Sequence, residues 1–309
     1  MSSQSSVGPV RLERATVNPL LEPIPGSDWE GRTVFNAGVA DVDGATVLIY
    51  RGQGPGNDVS RLGFAVSTDG VHFARLDRPV IVPGAPTEVR GVEDPRLTFL
   101  DGRWYMVYTA WSAGNIEVAM ASTTNFFTWE RHGTVIPGPD NKDAALFPGK
   151  VGGRYAMFHR IPPSMWLAFS DDLTGGVWGD YAEIMRPRPG NWDGWKLGAG
   201  GPPLRTDHGW LVIYHGVAQP KRYCLGVALL DLEDPRRVVN WPAAAILEPE
   251  EPWERHGDVD NVVFTCGTSE RDGRYYVYYG GADRVIGVAT VGRDELIAFA
   301  RHGEPRHPR

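Results

Sequence analysis

The stretch Gly91–Ala110, "GVEDPRLTFLDGRWYMVYTA", runs from two acids, a proline and an arginine into an apolar segment, an Asp-Gly pair and an alternation of aromatic and aliphatic residues. Asp-Gly between two such runs is a strong hairpin signal, so the stretch reads as strand, tight turn, strand. Four other segments repeat the design: "VDGATVLIY" at Gly44, "VGGRYAMFH" at Gly153, "DHGWLVIYH" at Gly209 and "RDGRYYVYY" at Gly273. Each is followed, after a polar gap, by a further apolar run: "RLGFAVSTDG", "NIEVAMASTT", "SMWLAFSDDL", "CLGVALLDL" and "VIGVATV". The five turn glycines are 58, 51, 56 and 64 residues apart. That period suits a propeller blade of about four strands. A two-sheet sandwich with a helical domain is the competing architecture, but no amphipathic helix of about 12 residues or more is apparent. The sequence therefore predicts an all-β chain: a five-bladed β-propeller over residues 18–300, an N-terminal extension over 1–17 and a C-terminal tail over 301–309. "NPLLEP" (residues 18–23) is expected to add a strand to the blade closed by the C-terminus and so lock the ring.

Composition narrows the function. The chain has 309 residues, 42% hydrophobic and 22% charged, with a formal net charge of −7. This balance argues against a nucleic-acid or anionic-membrane binder, both of which need a positive footprint. The opening residues lack an apolar h-region and no stretch approaches the roughly 18 apolar residues of a membrane span, so a cytoplasmic protein is expected. Cys224 and Cys266 stand apart, neither in a CxxC pair nor beside histidines; a disulfide or metal site is not expected, and both read as small buried hydrophobes. "GQGPGN" and "GAGGPP" carry spaced glycines, but neither joins a strand to a helix, which disfavours a nucleotide-binding loop.

A propeller binds its ligand at one mouth of the central channel. Polar residues cluster near the repeated hairpins in five segments: Asn36 in "FNAGVA", Asp94 in "GVEDPR", His159 and Arg160 in "FHR", Lys196 and His215 in "KLGAGGPP" and "YHG", and Asp283 in "YYGGAD". The tetrapeptide EDPR occurs twice, at Glu93–Arg96 and again at residues 233–236. The first copy falls on an inner strand, eight residues ahead of its turn glycine, and makes Asp94 the site candidate. The second follows an outer run, so Asp234 is expected to cap a turn with Pro235 at the next position.

"VFNAGVADVDGATVLIYRG", "GVEDPRLTFLDGRWYMVYTA", "KLGAGGPPLRTDHGWLVIYHGV" and "NVVFTCGTSERDGRYYVYYGGAD" together resemble glycoside hydrolase family 130, the β-mannoside phosphorylases and related mannosidases, from about Asn18 to about Phe299. The resemblance implies a five-bladed propeller, in agreement with the repeat count. It implies that inorganic phosphate, a co-substrate rather than a cofactor, attacks the anomeric carbon of a β-mannoside with inversion to give α-mannose 1-phosphate. Asp94 takes the place of the general acid, acting through a hydroxyl of the bound mannose, so its pKa is expected to be raised by burial or by Glu93. Arg160, Lys196 and His215 fall in segments that resemble the family's phosphate-binding ones, with Lys150 and His159 as weaker neighbours. Arg51 and Arg96 are expected to bind sugar or phosphate or to pair with Glu93 and Asp94; Asn36 and Asp283 are expected to read mannose hydroxyls. Tyr108, Trp111 and Trp166 are candidate stacking rings. The expected partners are a β-manno-oligosaccharide or mannosyl disaccharide and phosphate, with no nucleic acid or membrane; homo-oligomerisation stays open. "FNAGVA" departs from the Asn-Pro-Ala segment of many family members. The alternatives are a mannosidase, which needs a carboxylate base where phosphate would sit, and a non-catalytic sugar-binding propeller.

Overall fold

The computed structural model describes residues 8–138, 140–176 and 178–302 and the backbone of 304–306. Five antiparallel sheets follow one another along the chain and form the blades of a β-propeller. Blade one holds Thr33–Val42, Ala45–Gln53, Arg61–Ser67 and Ala74–Arg75, and blade two Gly91–Leu100, Arg103–Trp111, Ile116–Thr123 and Glu130–Ile136. Blade three holds Lys142–Leu146, Tyr155–Ile161, Ser164–Ser170 and Gly179–Met185. Blade four is built on Lys196–Ala199, Gly209–Ala218, Arg222–Leu230 and Val238–Trp241. Blade five has Val263–Arg271, Arg274–Gly281 and Val285–Gly292. The helices among the described residues are short, Pro252–Arg255 and Arg293–Ala300 with a single 3-10 turn at Pro86–Glu88.

The N-terminal segment closes the ring, but not where the sequence suggested. Glu13–Arg14 forms the outer strand of blade five, pairing Glu13 with Thr290 and Arg14 with Ala289. Within "NPLLEP" only Leu21 bridges to Ile286. Pro19 and Pro23 lack the backbone N–H that a continuous ladder requires, which explains why regular pairing lies upstream. Val10 and Leu12 are buried in the core between blades four and five, so blade five reaches back before Asn18. Downstream, Leu296, Phe299 and Ala300 join that core, and the backbone of Glu304–Arg306 extends blade four beyond residue 300. Residues 1–7, 303 and 307–309 of the expected extension and tail lie outside the described residues.

The repeated turns behave as their chemistry dictates. Asp43-Gly44, Asp101-Gly102, Gly152-Gly153 and Asp272-Gly273 all have positive φ at both positions. That is the requirement of a two-residue I′ hairpin, which Asp and Gly meet at least steric cost. After the third strand, Ser67 with Asp69, Thr123 with Asn125 and Ser170 with Asp172 cap the following backbone N–H groups. Apolar side chains pack between adjacent blades; Val107, Met120, Leu146, Met157 and Ala168 meet between blades two and three. Fully burying one large apolar side chain of this kind stabilises the fold by roughly 1.5–3 kcal/mol. The inner strands are thereby held rigidly with their starts gathered at one mouth of the ring and their hairpin turns at the other. No helix among the described residues is long and apolar enough to cross a membrane.

Candidate active site

The inner strands of blades one, two and three share a local irregularity. Their register slips between Phe35 and Gly38, between Glu93 and Arg96, and between Lys142 and Ala145. At each slip a polar residue sits in the left-handed region: Asn36 at φ 50°, Asp94 at φ 50° and Asp143 at φ 53°. Asn and Asp are the side-chain-bearing residues that tolerate this region best, and a bulge re-aims the residue it carries. Blade five has the corresponding slip between Thr265 and Gly267, with buried Cys266 at its centre. Three equivalent bulges thus bring an amide and two carboxylates to the same mouth.

Asp94 occupies a crowded acidic corner. Asn36 Nδ2 donates to its Oδ1 at 2.9 Å, and Arg51 donates to the same oxygen at 3.2 Å. Arg51 also donates to Glu93 Oε1 at 2.5 Å and to Ser60 Oγ at 2.8 Å, with its guanidinium 4.6 Å over the Phe35 ring. Burial pushes Asp94 up, but Arg51, Arg96 and the Asn36 amide together hold it below the ordinary aspartate value. The expectation of a raised Asp94 is therefore not met. Burial instead raises Glu93 above its ordinary value despite Arg51, and it lifts Asp283, in the left-handed region at φ 52°, to about 6. Asn36 Oδ1 is buried and has no hydrogen-bond partner.

A second cluster is centred on Asp143, which the sequence reading missed. Arg160 donates to Asp143 Oδ2 at 2.6 Å, His215 Nε2 lies 3.3 Å from the same oxygen, and Arg96 stands 3.6 Å from Oδ1. Burial opposes ionisation of Asp143, but Arg160, His215 and Arg96 outweigh it and hold the carboxyl well below the ordinary range. His215 is fully buried, its ring 4.3 Å from that of Phe264, and burial lowers its pKa. Lys196 opens the inner strand of blade four with its Nζ between the rings of Trp195 and Tyr223, at 4.9 and 5.2 Å. Burial, then Arg160 and Lys142, brings its pKa down to about 8. Arg160 Nε is buried without a partner. The structure thus brings Arg160, Lys196 and His215 together, as expected. Asp143 was legible in principle: "NKDAAL" stands ahead of a turn glycine much as "VEDPRL" and "FNAGVA" do, ten residues before Gly153 against eight for the others.

Other candidates sit elsewhere or do other work. Arg96 spends its donors on the carbonyls of Gly200 at 2.8 Å, Asp94 at 2.8 Å and Ala199 at 3.1 Å, so it ties blade two to blade four rather than facing a ligand. Lys150 is exposed and lies 4.5 Å over Tyr155, near the hairpin turns. His159 is buried, bonded to Asn141 Oδ1 at 3.0 Å and lowered by burial to about 4. Tyr108 is a core ring whose hydroxyl donates to Glu88 at 2.6 Å. Trp166 lies near the start of the third strand of blade three, opposite His159, donating to the Ile161 carbonyl at 3.2 Å. Trp111, paired with Gly91, lines a cavity of about 250 Å³ with Asp58, Val59, Val89 and Arg90. In the second EDPR copy, Asp234 binds the Arg236 side chain at 2.7 Å and accepts from its own turn's backbone, as a turn cap should.

The family model described as beta-1,4-mannooligosaccharide phosphorylase, that of glycoside hydrolase family 130, matches residues 11–302. A 1,2-beta-oligomannan phosphorylase of Thermoanaerobacter is 45% identical over 91% of this chain and 97% of its own. A beta-1,2-mannobiose phosphorylase of the same organism is 42% identical over 93% of this chain and 99% of its own. The solved beta-1,2-mannobiose phosphorylase of Listeria innocua, in complex with beta-1,2-mannobiose, superposes with a TM-score of 0.86 at 27% identity, covering 94% of this chain and 99% of that one.

Proposed function

The chain belongs to glycoside hydrolase family 130 and is a β-mannoside phosphorylase; we propose that it cleaves a β-1,2-mannosidic bond with inversion and releases α-mannose 1-phosphate. The linkage follows the two relatives matched over nearly their whole length, although the family model's description names β-1,4.

The observation that carries the phosphorolytic reading is the convergence of Arg160, Lys196 and His215 on one wall, with Arg160 Nε buried and unpartnered. A buried donor without a partner costs free energy, and a phosphate oxygen is the kind of acceptor that would relieve it. Asp94 stands on the neighbouring blade. In the proposed step a phosphate oxygen forms the new bond to the anomeric carbon as the bond to the leaving oxygen breaks. The Asp94 proton passes through a mannose hydroxyl to that oxygen. Asn36 and Asp283 bind mannose hydroxyls, and Arg51 with Glu93 fixes the acid. The acceptor sugar lies against Trp111, whose cavity opens beside Gly91, three residues from Asp94. At about 3.3 Å per residue that is roughly 10 Å, a reach of one to two sugar units.

The hydrolytic alternative gains one point from the structure, because Asp143 puts a carboxylate among the cations. A general base needs a free lone pair and a pKa near the working pH. Asp143 lacks the second: Arg160, His215 and Arg96 outweigh its burial and hold it ionised well below that range. This favours phosphate over activated water as the nucleophile. The test is the rate of β-1,2-mannobiose cleavage with and without inorganic phosphate. Cleavage is expected to require phosphate and yield α-mannose 1-phosphate, with Lys196→Ala losing activity at ordinary phosphate concentrations. Free mannose released at an undiminished rate without phosphate would favour hydrolysis.

A further inference from the structure

We propose that Asp143 is a positioning residue of the phosphate subsite, orienting Arg160 and His215 through its buried carboxylate. The inference rests on the phosphorolytic reading above. Two side chains from different blades approach a single oxygen, Oδ2: Arg160 donates a hydrogen bond to it at 2.6 Å, and the His215 ring, whose pKa burial lowers, stands 3.3 Å away. Arg96, its donors tied to backbone carbonyls, stands 3.6 Å from the other oxygen as a fixed countercharge. The backbone fixes Asp143 as firmly, since it occupies the left-handed bulge at φ 53°. Blade four leaves room for this contact with a glycine: a Cβ on Gly198 would stand 2.4 Å from Asp143 Oδ2 and 2.5 Å from His215 Cε1.

Two effects of Asp143 on phosphate oppose each other. Its negative charge repels the dianion, whereas its geometry aims donors at it. Arginine recognises phosphate through a planar fork, and a fork fixed in advance loses less entropy on binding. One NH1 of Arg160 is committed to Asp143, and that bond leaves Nε and the other terminal nitrogen aimed as a unit. Near a buried cationic cluster, a lost charge-assisted hydrogen bond outweighs the relief of one charge repulsion that Arg160, Lys196 and Lys142 already offset. Orientation therefore wins, and removing the carboxylate's charge weakens phosphate binding.

Two variants of the full chain test this. Asp143→Asn keeps volume and left-handed tolerance. Gly198→Ala keeps every charge and crowds Asp143 Oδ2 and the His215 ring together, so it disturbs their contact from the blade-four side. For both, the KM for inorganic phosphate should rise roughly ten- to a hundredfold, the equivalent of one hydrogen bond to a charged group. The KM for β-1,2-mannobiose should stay within about threefold, and the phosphate-induced rise in melting temperature should shrink. A KM for phosphate that falls in Asp143→Asn would show that charge repulsion dominates and overturn the proposal. So would a loss of kcat with both KM values unchanged. Should Asp143→Asn fail to fold, Gly198→Ala decides alone by the same split. Failure of the underlying phosphorolytic reading would appear separately, as phosphate-independent cleavage by the unaltered chain.

Discussion

Replacing Asp94 by Asn separates the acid from its scaffold. Asn takes the left-handed backbone conformation that Asp94 holds at φ 50° as readily as Asp does. The Asn36 amide can still donate to the Oδ1 position, now 2.9 Å away. Arg51 loses an ion pair of 3.2 Å but keeps Glu93 at 2.5 Å and Ser60 at 2.8 Å. Folding should therefore change by no more than about 1–2 kcal/mol, the scale of one charged hydrogen bond. Turnover should change far more. General acid catalysis is worth roughly 10²–10⁴-fold, and a hundredfold loss corresponds to about 2.7 kcal/mol of barrier. The assay compares phosphorolysis of β-1,2-mannobiose with that of a β-mannoside bearing an acidic nitrophenol, a leaving group that departs without a proton. Asp94→Asn should lose at least about a hundredfold on the disaccharide and less than about tenfold on the aryl mannoside. Asp234→Asn, altered in the second EDPR copy, should be nearly unchanged on both. Equal losses on the two substrates, or equal damage from the two variants, would refute the assignment of Asp94 as the acid.

Asp283 yields a pH prediction. Its folded pKa of about 6 lies above its ordinary value, so the folded state binds the extra proton between the two, and the penalty for ionised Asp283 grows as pH rises through about 6. Asp283→Asn should raise the melting temperature at pH 7.5, by at most the equivalent of about 3 kcal/mol, with the gain falling away between about pH 6 and pH 4. The same variant should raise the KM for the mannoside; a variant that neither gains stability nor loses sugar affinity would remove Asp283 from the site. Phosphate binding should be accompanied by proton uptake near pH 6–7, measured by titration calorimetry in buffers of different ionisation enthalpy. An observed heat independent of the buffer would count against the coupling argued in the last paragraph.

The fold was legible because its repeat is written in turn chemistry. Asp-Gly and Gly-Gly pairs mark the first hairpin of four blades, and the residues that follow alternate as strands must. Asp94, Arg160, Lys196 and His215 were also reachable, since each is a charged or titratable residue set in or beside an otherwise apolar strand. Three things were hidden. The closing strand at Glu13–Arg14 is two residues long, and so short a segment carries no periodicity. Asp143 was masked by a hairpin two residues longer, which shifted it from the offset shared by Asn36 and Asp94. The direction of the Asp94 shift was hidden most deeply, because sequence adjacency to Glu93 suggests repulsion. The fold instead inserts Arg51 from another blade beside both carboxylates and brings Arg96 under the Asp94 carbonyl.

That last difference bears on why the enzyme would await phosphate. Arg51, Arg96 and Asn36 hold Asp94 ionised, so the group proposed as the acid must gain a proton before it can act. A dianion bound beside Arg160 and Lys196 changes the balance. At an effective dielectric of about 20 and a separation on the order of 8 Å, each unit charge raises the cost of ionised Asp94 by about 2 kcal/mol, so a dianion contributes about 4. That is enough to move a carboxyl by roughly three pKa units. The cations beside the anion offset part of this, but Arg160 and Lys196 act on Asp94 before phosphate arrives as well as after, so the added term belongs to the anion. Displacement of water by the sugar works in the same direction, since desolvation disfavours the charged carboxylate. Phosphate on this argument supplies both the nucleophile and the conditions under which Asp94 can take up a proton. Water entering in its place supplies neither, so hydrolysis would lack a base, which Asp143 is too firmly engaged to provide, and an acid, which without the anion stays ionised.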